Sequence, residues 1–132
     1  MFKSELPSVF YINSKKYSAS SELSYLLRNV VSHIRYEWDE LVFLCIGSDR
    51  ITGDSLGPLV GHLLSRHNWP HIHVYGTLKN PVHALNLEEI TRQIKARHPL
   101  ALIIAIDASL GSKKHIGFIT LGIGSLCPGL GV

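Results

Sequence analysis

Leu41-Val42-Phe43-Leu44-Cys45-Ile46-Gly47, running on through Ser48-Asp49-Arg50-Ile51-Thr52-Gly53-Asp54-Ser55-Leu56-Gly57-Pro58 into Leu59, Val60, Leu63 and Leu64, decides the fold. An unbroken apolar run closed by glycine is the pattern of a strand covered on both faces, as parallel strands are. The leucines and valine that follow recur at helical spacing. Strand, glycine-bearing loop and helix make the first half of a βαβ unit.

Towards the C-terminus, His71-Ile72-His73-Val74-Tyr75 alternates polar with apolar residues and supplies a second strand. Leu87, Ile90 and Ile94 mark another helix. Glu88 and Glu89 stand in its first turn and Lys95, Arg97 and His98 at its end, the polarity that complements a helix dipole, and Pro99 stops it. Leu100-Ala101-Leu102-Ile103-Ile104-Ala105-Ile106 is a second fully apolar strand, ending in Asp107, and residues 116–121 form a further strand. Towards the N-terminus, Leu23, Leu26, Leu27, Val30, Val31 and Ile34 draw one helical stripe, capped by Ser20 or Ser21. Val9-Phe10-Tyr11-Ile12 reads as an edge strand. The alternation predicts an α/β fold with a mostly parallel sheet between helical layers. The chain is expected to form a single domain, 1–132, with an N-terminal segment and amphipathic helix in 1–40 and the α/β core in 41–132. Residues 122–132 are loop-like without a closing helix, so the natural domain is expected to continue beyond Val132.

The 132 residues carry 45% hydrophobic and 17% charged side chains, which excludes a disordered tail. Thirteen Lys and Arg against ten Asp and Glu leave +3, too mild a charge for a nucleic-acid footprint. The pairs Lys15-Lys16 and Lys113-Lys114 are isolated and lack interleaved aromatics. Cys45 and Cys127 make neither a CxxC nor a disulfide framework, which points to a reducing compartment. No apolar stretch nears the ~20 residues of a membrane span, and the first residues carry no signal-peptide core. A cytoplasmic protein, with no nucleic-acid or membrane partner, is the expectation; the sequence assigns no oligomeric state.

In an open parallel sheet, functional groups collect at the carboxyl ends of the strands. Two apolar strands here run into acidic residues: Gly47 leads to Asp49 and Asp54, and Ile106 leads to Asp107. If the core strands are ordered 2-1-3, those two are neighbours, about 4.8 Å apart. A carboxylate pair at that edge can share a proton, activate a water or hold a divalent ion. Two plainer readings stand beside this one: Asp54 as a helix N-cap and Asp107 as a turn residue. The loop lacks the Gly-Lys-Ser/Thr ending of a P-loop and the spacing of a dinucleotide fingerprint. The histidines show no familiar metal spacing. His71 and His73 share a strand face at the edge opposite the acidic loops, His62 and His67 belong to a helix surface, and His83 follows a strand on the acidic edge. Cys45, in mid-strand, reads as a buried, inert thiol.

Residues 43–58, then Tyr75-Gly76-Thr77-Leu78 with Pro81-Val82-His83-Ala84 and Asn86-Leu87-Glu88-Glu89, then Ile104-Ala105-Ile106-Asp107-Ala108-Ser109-Leu110-Gly111, resemble in order the sporulation protein YyaC family (DUF1256). That family is similar in turn to the germination protease of spore-forming bacteria and, more distantly, to the hydrogenase maturation endopeptidases. The resemblance implies a three-layer α/β/α sandwich of phosphorylase/hydrolase-like (HybD-like) type. It also carries the acidic roles of the germination protease onto Thr52-Gly53-Asp54-Ser55-Leu56-Gly57-Pro58 and Ile106-Asp107-Ala108, making Asp54 and Asp107 the catalytic pair. Asp49, Thr77, His83 and Asn86 are the expected binding residues. In the hydrogenase maturation enzymes the matching acidic positions read a bound nickel with help from a later His. This chain has no His at a matching position; His83 is a substitute and His115 lies on the wrong side of Asp107. Neither a resident metal nor a cofactor is expected. The implied activity is peptide hydrolysis on a peptide or protein substrate, spore proteins among them. A non-catalytic binding protein and a metal-sensing endopeptidase are the alternatives.

Overall fold

The computed structural model describes residues 9–124. In chain order these form β1 (Val9–Asn13), α1 (Ala19–Ser32), β2 (Glu40–Ile46), α2 (Leu56–Leu64), β3 (Ile72–Tyr75), α3 (Leu87–Arg97), β4 (Ala101–Asp107), a 3-10 turn (Lys113–His115) and β5 (Phe118–Gly122). They fall into two compact units, residues 37–110 and residues 9–36 with 111–124.

The first of these units is built on β2. It lies in the middle of a three-stranded parallel sheet, order β3-β2-β4, with Phe43 opposite Val74 on one side and Ile104 on the other. This is the 2-1-3 order that makes the strands ending at Gly47 and Asp107 neighbours. Val42, Leu44, Cys45 and Ile46 are all buried, as a strand covered on both faces must be. Successive side chains alternate between faces. Val42, Leu44 and Ile46 share a cluster with Val82 and with Ile94 of α3, flanked by Leu87 and Ile90. On the Cys45 side lies α2, which has no side chain at its point of closest approach: a Cβ on Gly61 would sit 1.9 Å from the Gly76 carbonyl oxygen and 3.3 Å from Cys45 Cβ. Full burial of each aliphatic chain in this cluster contributes about 1.5–3 kcal/mol. The same burial pushes the Cys45 thiol up to about 11. Cys45 is therefore expected to stay unlabelled when the native protein is treated with iodoacetamide at neutral pH and to react fully in denaturant, as read by peptide mass mapping.

The helices start where backbone chemistry allows. Pro58 falls in the first turn of α2, where its missing N–H removes no intrahelical bond. Glu88 and Glu89 occupy the first turn of α3 and Lys95 and Arg97 its last, as expected from the dipole. The N-cap position of α1 is Ser18 rather than Ser20 or Ser21. Its carbonyl accepts the Glu22 amide and its hydroxyl donates to the Glu22 carboxylate at 2.6 Å, which fixes the first turn two residues early. Ile34 lies past the end of the helix.

The strand expected over 116–121 is β5, shifted to Phe118–Gly122, and it does not extend the parallel sheet. It pairs antiparallel with β1 in a two-stranded sheet, Tyr11 opposite Thr120 and Ile12 opposite Ile119. The reason lies in the connection. A parallel neighbour needs a crossover of a dozen or more residues, usually a helix, whereas only a single 3-10 turn separates β4 from β5. Among the described residues no helix is long and apolar enough to cross a membrane.

Candidate functional site at the carboxyl edge of the parallel sheet

The loop after β2 closes on itself. Gly47 donates its amide to the Val82 carbonyl at 2.8 Å, so the loops following β2 and β3 are tied at their roots. The Ser48 amide donates both to the Asp54 carbonyl, at 2.8 Å, and to the Asp54 carboxylate, at 3.1 Å. Asp54 therefore does not cap α2: the N-cap position is Ser55, which makes no side-chain capping bond. Its carboxylate is half-buried and turned back to the strand end. Asp107 is the last residue of β4 and stands directly opposite Ile46 in the parallel register. The end of β4 and the Asp54 loop thus share one edge of the sheet.

Beside them opens a cleft of about 400 Å³, lined by Ser48, Asp49, Arg50, Lys79, Pro81 and His83 with Leu78. Asp54 and Asp107 are not among its lining residues. Of the residues singled out for binding, Asp49 and His83 line it. Thr77 and Asn86 do not line it but brace the loops that do. The Thr77 hydroxyl oxygen accepts the Asn80 amide at 3.0 Å. Asn86 accepts the His83 amide at 2.8 Å and donates to the Pro81 carbonyl at 3.1 Å, pinning the 81–86 loop. Within that loop His83 Nδ1 takes the Leu85 amide at 3.3 Å, so in the neutral ring the proton sits on Nε2. Arg50 and Lys79 were not singled out by sequence. Each is one cation in a polar loop, and only the folding of two loops onto one edge brings them to the same cleft.

The arrangement offers two carboxylates at a strand edge, one of them oriented by a backbone amide, next to a cleft with two cations, a carboxylate and an imidazole. Carboxylate pairs at such edges can activate water or bind polar ligands.

A family model described as "Protein of unknown function (DUF1256)" matches residues 11–132. Over 92 residues the chain is 49% identical to "Uncharacterized protein YyaC" of Bacillus subtilis (strain 168), an alignment covering 70% of this chain and 45% of that protein. The chain thus spans less than half the length of this curated relative. No solved structure matches the chain.

Proposed function

This chain belongs to the DUF1256 family, and on that premise we propose that it is a peptide hydrolase whose reacting groups are Asp54 and Asp107, on a HybD-like α/β/α core. One carboxylate takes a proton from the attacking water while the other donates to the scissile carbonyl, the division of labour open to a paired acid and base. The observation that carries this reading is the register of β4 on β2, which sets Asp107 opposite Ile46 one residue before the loop that Asp54 closes. The cleft beside them takes the peptide, and Arg50 and Lys79 favour a segment bearing an acidic side chain or a terminal carboxylate. The sporulation setting implied by the family resemblance makes small spore proteins the first substrates to try.

A binding protein on the same fold is the second reading. What favours it is that the Asp54 carboxylate already serves the loop by accepting the Ser48 amide, a duty that needs no reaction. Asparagine can keep that bond through its own carbonyl oxygen, so Asp54→Asn and Asp107→Asn separate the two. For a hydrolase, cleavage of spore proteins or of an acidic peptide pool falls about 10²–10⁴-fold in either variant with the thermal midpoint preserved. Saturable peptide association by the folded wild-type chain, with no cleavage product by mass spectrometry, overturns the hydrolase and leaves the binder.

A further inference from the structure

At the opposite, amino-terminal edge of the same sheet lies a second cluster that the carboxyl-edge site does not use. Glu40 opens β2, His73 is the second residue of β3, and His98 follows α3. Glu40 Oε2 meets His73 Nε2 at 2.8 Å and Glu40 Oε1 meets His98 Nδ1 at 3.0 Å. The two imidazole rings stack with centroids 4.1 Å apart. We propose that Glu40, His73 and His98 bind a divalent transition-metal ion of the zinc class.

Four observations support the assignment. The donor set is two imidazoles and one carboxylate, which suits zinc and its first-row neighbours and leaves a coordination position open. The ligand atoms all lie within 4.8 Å of one another. Metal-ligand bonds of ~2.0–2.2 Å in a tetrahedral site hold ligand atoms ~3.3 Å apart, so side-chain shifts of under about an ångström complete the geometry. His98 has the outer hydrogen bond that orients a ligating imidazole: its Nε2 faces the Tyr75 hydroxyl at 2.9 Å, which leaves Nδ1 for the ion. Finally, the cluster is open enough to load, the side chains of His73 and Glu40 being 35% and 25% exposed, while His98, at 11%, is held firmly.

The backbone beneath is rigid on both sides of β2. Asp39 donates to the Leu100 carbonyl at 3.0 Å, Leu41 to the His71 carbonyl at 2.9 Å, and Ala101 to the His98 carbonyl at 3.1 Å. His71 holds φ at 63°, a left-handed conformation uncommon outside glycine, at the turn that starts β3 and sets His73 beside Glu40. Without metal, the two rings each give an N–H to the Glu40 carboxylate. On loading, His73 binds through Nε2 with its proton on Nδ1, and the His98 proton moves to Nε2, where the Tyr75 hydroxyl turns round to accept it. In each ring the nitrogen that binds the ion gives up its N–H as the other gains one, so the tautomer changes and the proton count does not.

Calorimetric titration of the purified full chain with zinc chloride tests the assignment. One equivalent is expected to bind the wild type. His98→Ala and Glu40→Gln should each weaken uptake at least 100-fold, and Tyr75→Phe, which removes only the orienting hydroxyl, about tenfold. His62→Ala and His67→Ala, on the exposed surface within and after α2 respectively, should leave it unchanged. Ring signals of His73 and His98 in the wild-type protein should shift on titration, a measurement that needs no variant to fold. Absence of binding by the folded wild type, or binding that shifts other histidines and survives His98→Ala, overturns the site.

Discussion

Gly76→Ala is expected to unfold the three-stranded unit at temperatures where the wild type is native. Gly76 follows β3 with φ at +92°, where an alanine side chain is strained by about 1–2 kcal/mol. The larger effect is steric. A Cβ here lands 1.8 Å from the Cys45 carbonyl oxygen, a backbone atom of the central strand. That strand is paired with β4 along its whole length and with β3 from Leu41 to Leu44, so the clash is not relieved by a shift of the strand. Gly61→Ala meets the same obstacle from the other partner, its Cβ falling 1.9 Å from the Gly76 oxygen. Each change should remove at least about 3 kcal/mol from a total that for a small domain is 5–15 kcal/mol. Gly111→Ala, with nothing within 4 Å of its Cβ, is the control and should be near neutral. Urea midpoints followed by circular dichroism give the comparison; a Gly76→Ala midpoint within error of the wild type refutes the close helix-to-strand contact.

Ile94→Ala is the second large effect, expected at about 2–5 kcal/mol. Ile94 is fully buried and is where α3 enters the cluster of Val42, Leu44, Ile46 and Val82. Truncation leaves a cavity between a helix and the middle of the sheet, and neither collapses cheaply because interiors are close-packed. Leu85→Ala, at a residue 94% exposed two positions before α3, should stay within about 0.5 kcal/mol. Equal losses from the two changes, measured by the same unfolding transitions, would mean that α3 is not seated on this face.

How much of this was legible beforehand follows the range of the forces involved. The run Leu41 to Gly47 and the apolar spacings of α2 and α3 are local patterns, and they name the strands and helices without coordinates, while the order of the strands stays conditional until the fold is seen. The polar-apolar alternation of residues 71–75 does the same for β3. The pairing partner of β5 is not local: the short connection from Asp107 argues against a parallel neighbour, but no residue there points to Val9–Asn13. At the site, Asp54 and Asp107 are legible because both follow apolar strands at the carboxyl ends, where functional groups of a parallel sheet collect. The bond from the Ser48 amide to Asp54 is a matter of loop closure and is invisible in sequence. Least legible is the Glu40, His73 and His98 cluster. Its members are 33 and 58 residues apart, no spacing motif joins them, and His73 looked like an ordinary polar position of an alternating strand. The one available hint was that parallel order sets the starts of neighbouring strands side by side, so an acid at one start and a His at the next become neighbours.

The antiparallel pairing of β1 with β5 also fixes the order in which the chain assembles. Ser14 and Gly117, joined by a backbone bond at 3.0 Å, are separated by 103 residues of sequence. Closing so long a loop costs entropy that grows with the logarithm of its length, and it is recovered only after both ends have met. The unit of residues 37–110 has no such delay, being one uninterrupted stretch whose strands and helices follow one another directly. That stretch can pack from its own contacts without waiting for residues 118–122 to reach β1. Until the two strands meet, β1 keeps a hydrogen-bonding edge open, an interval in which it is exposed to pairing with other molecules.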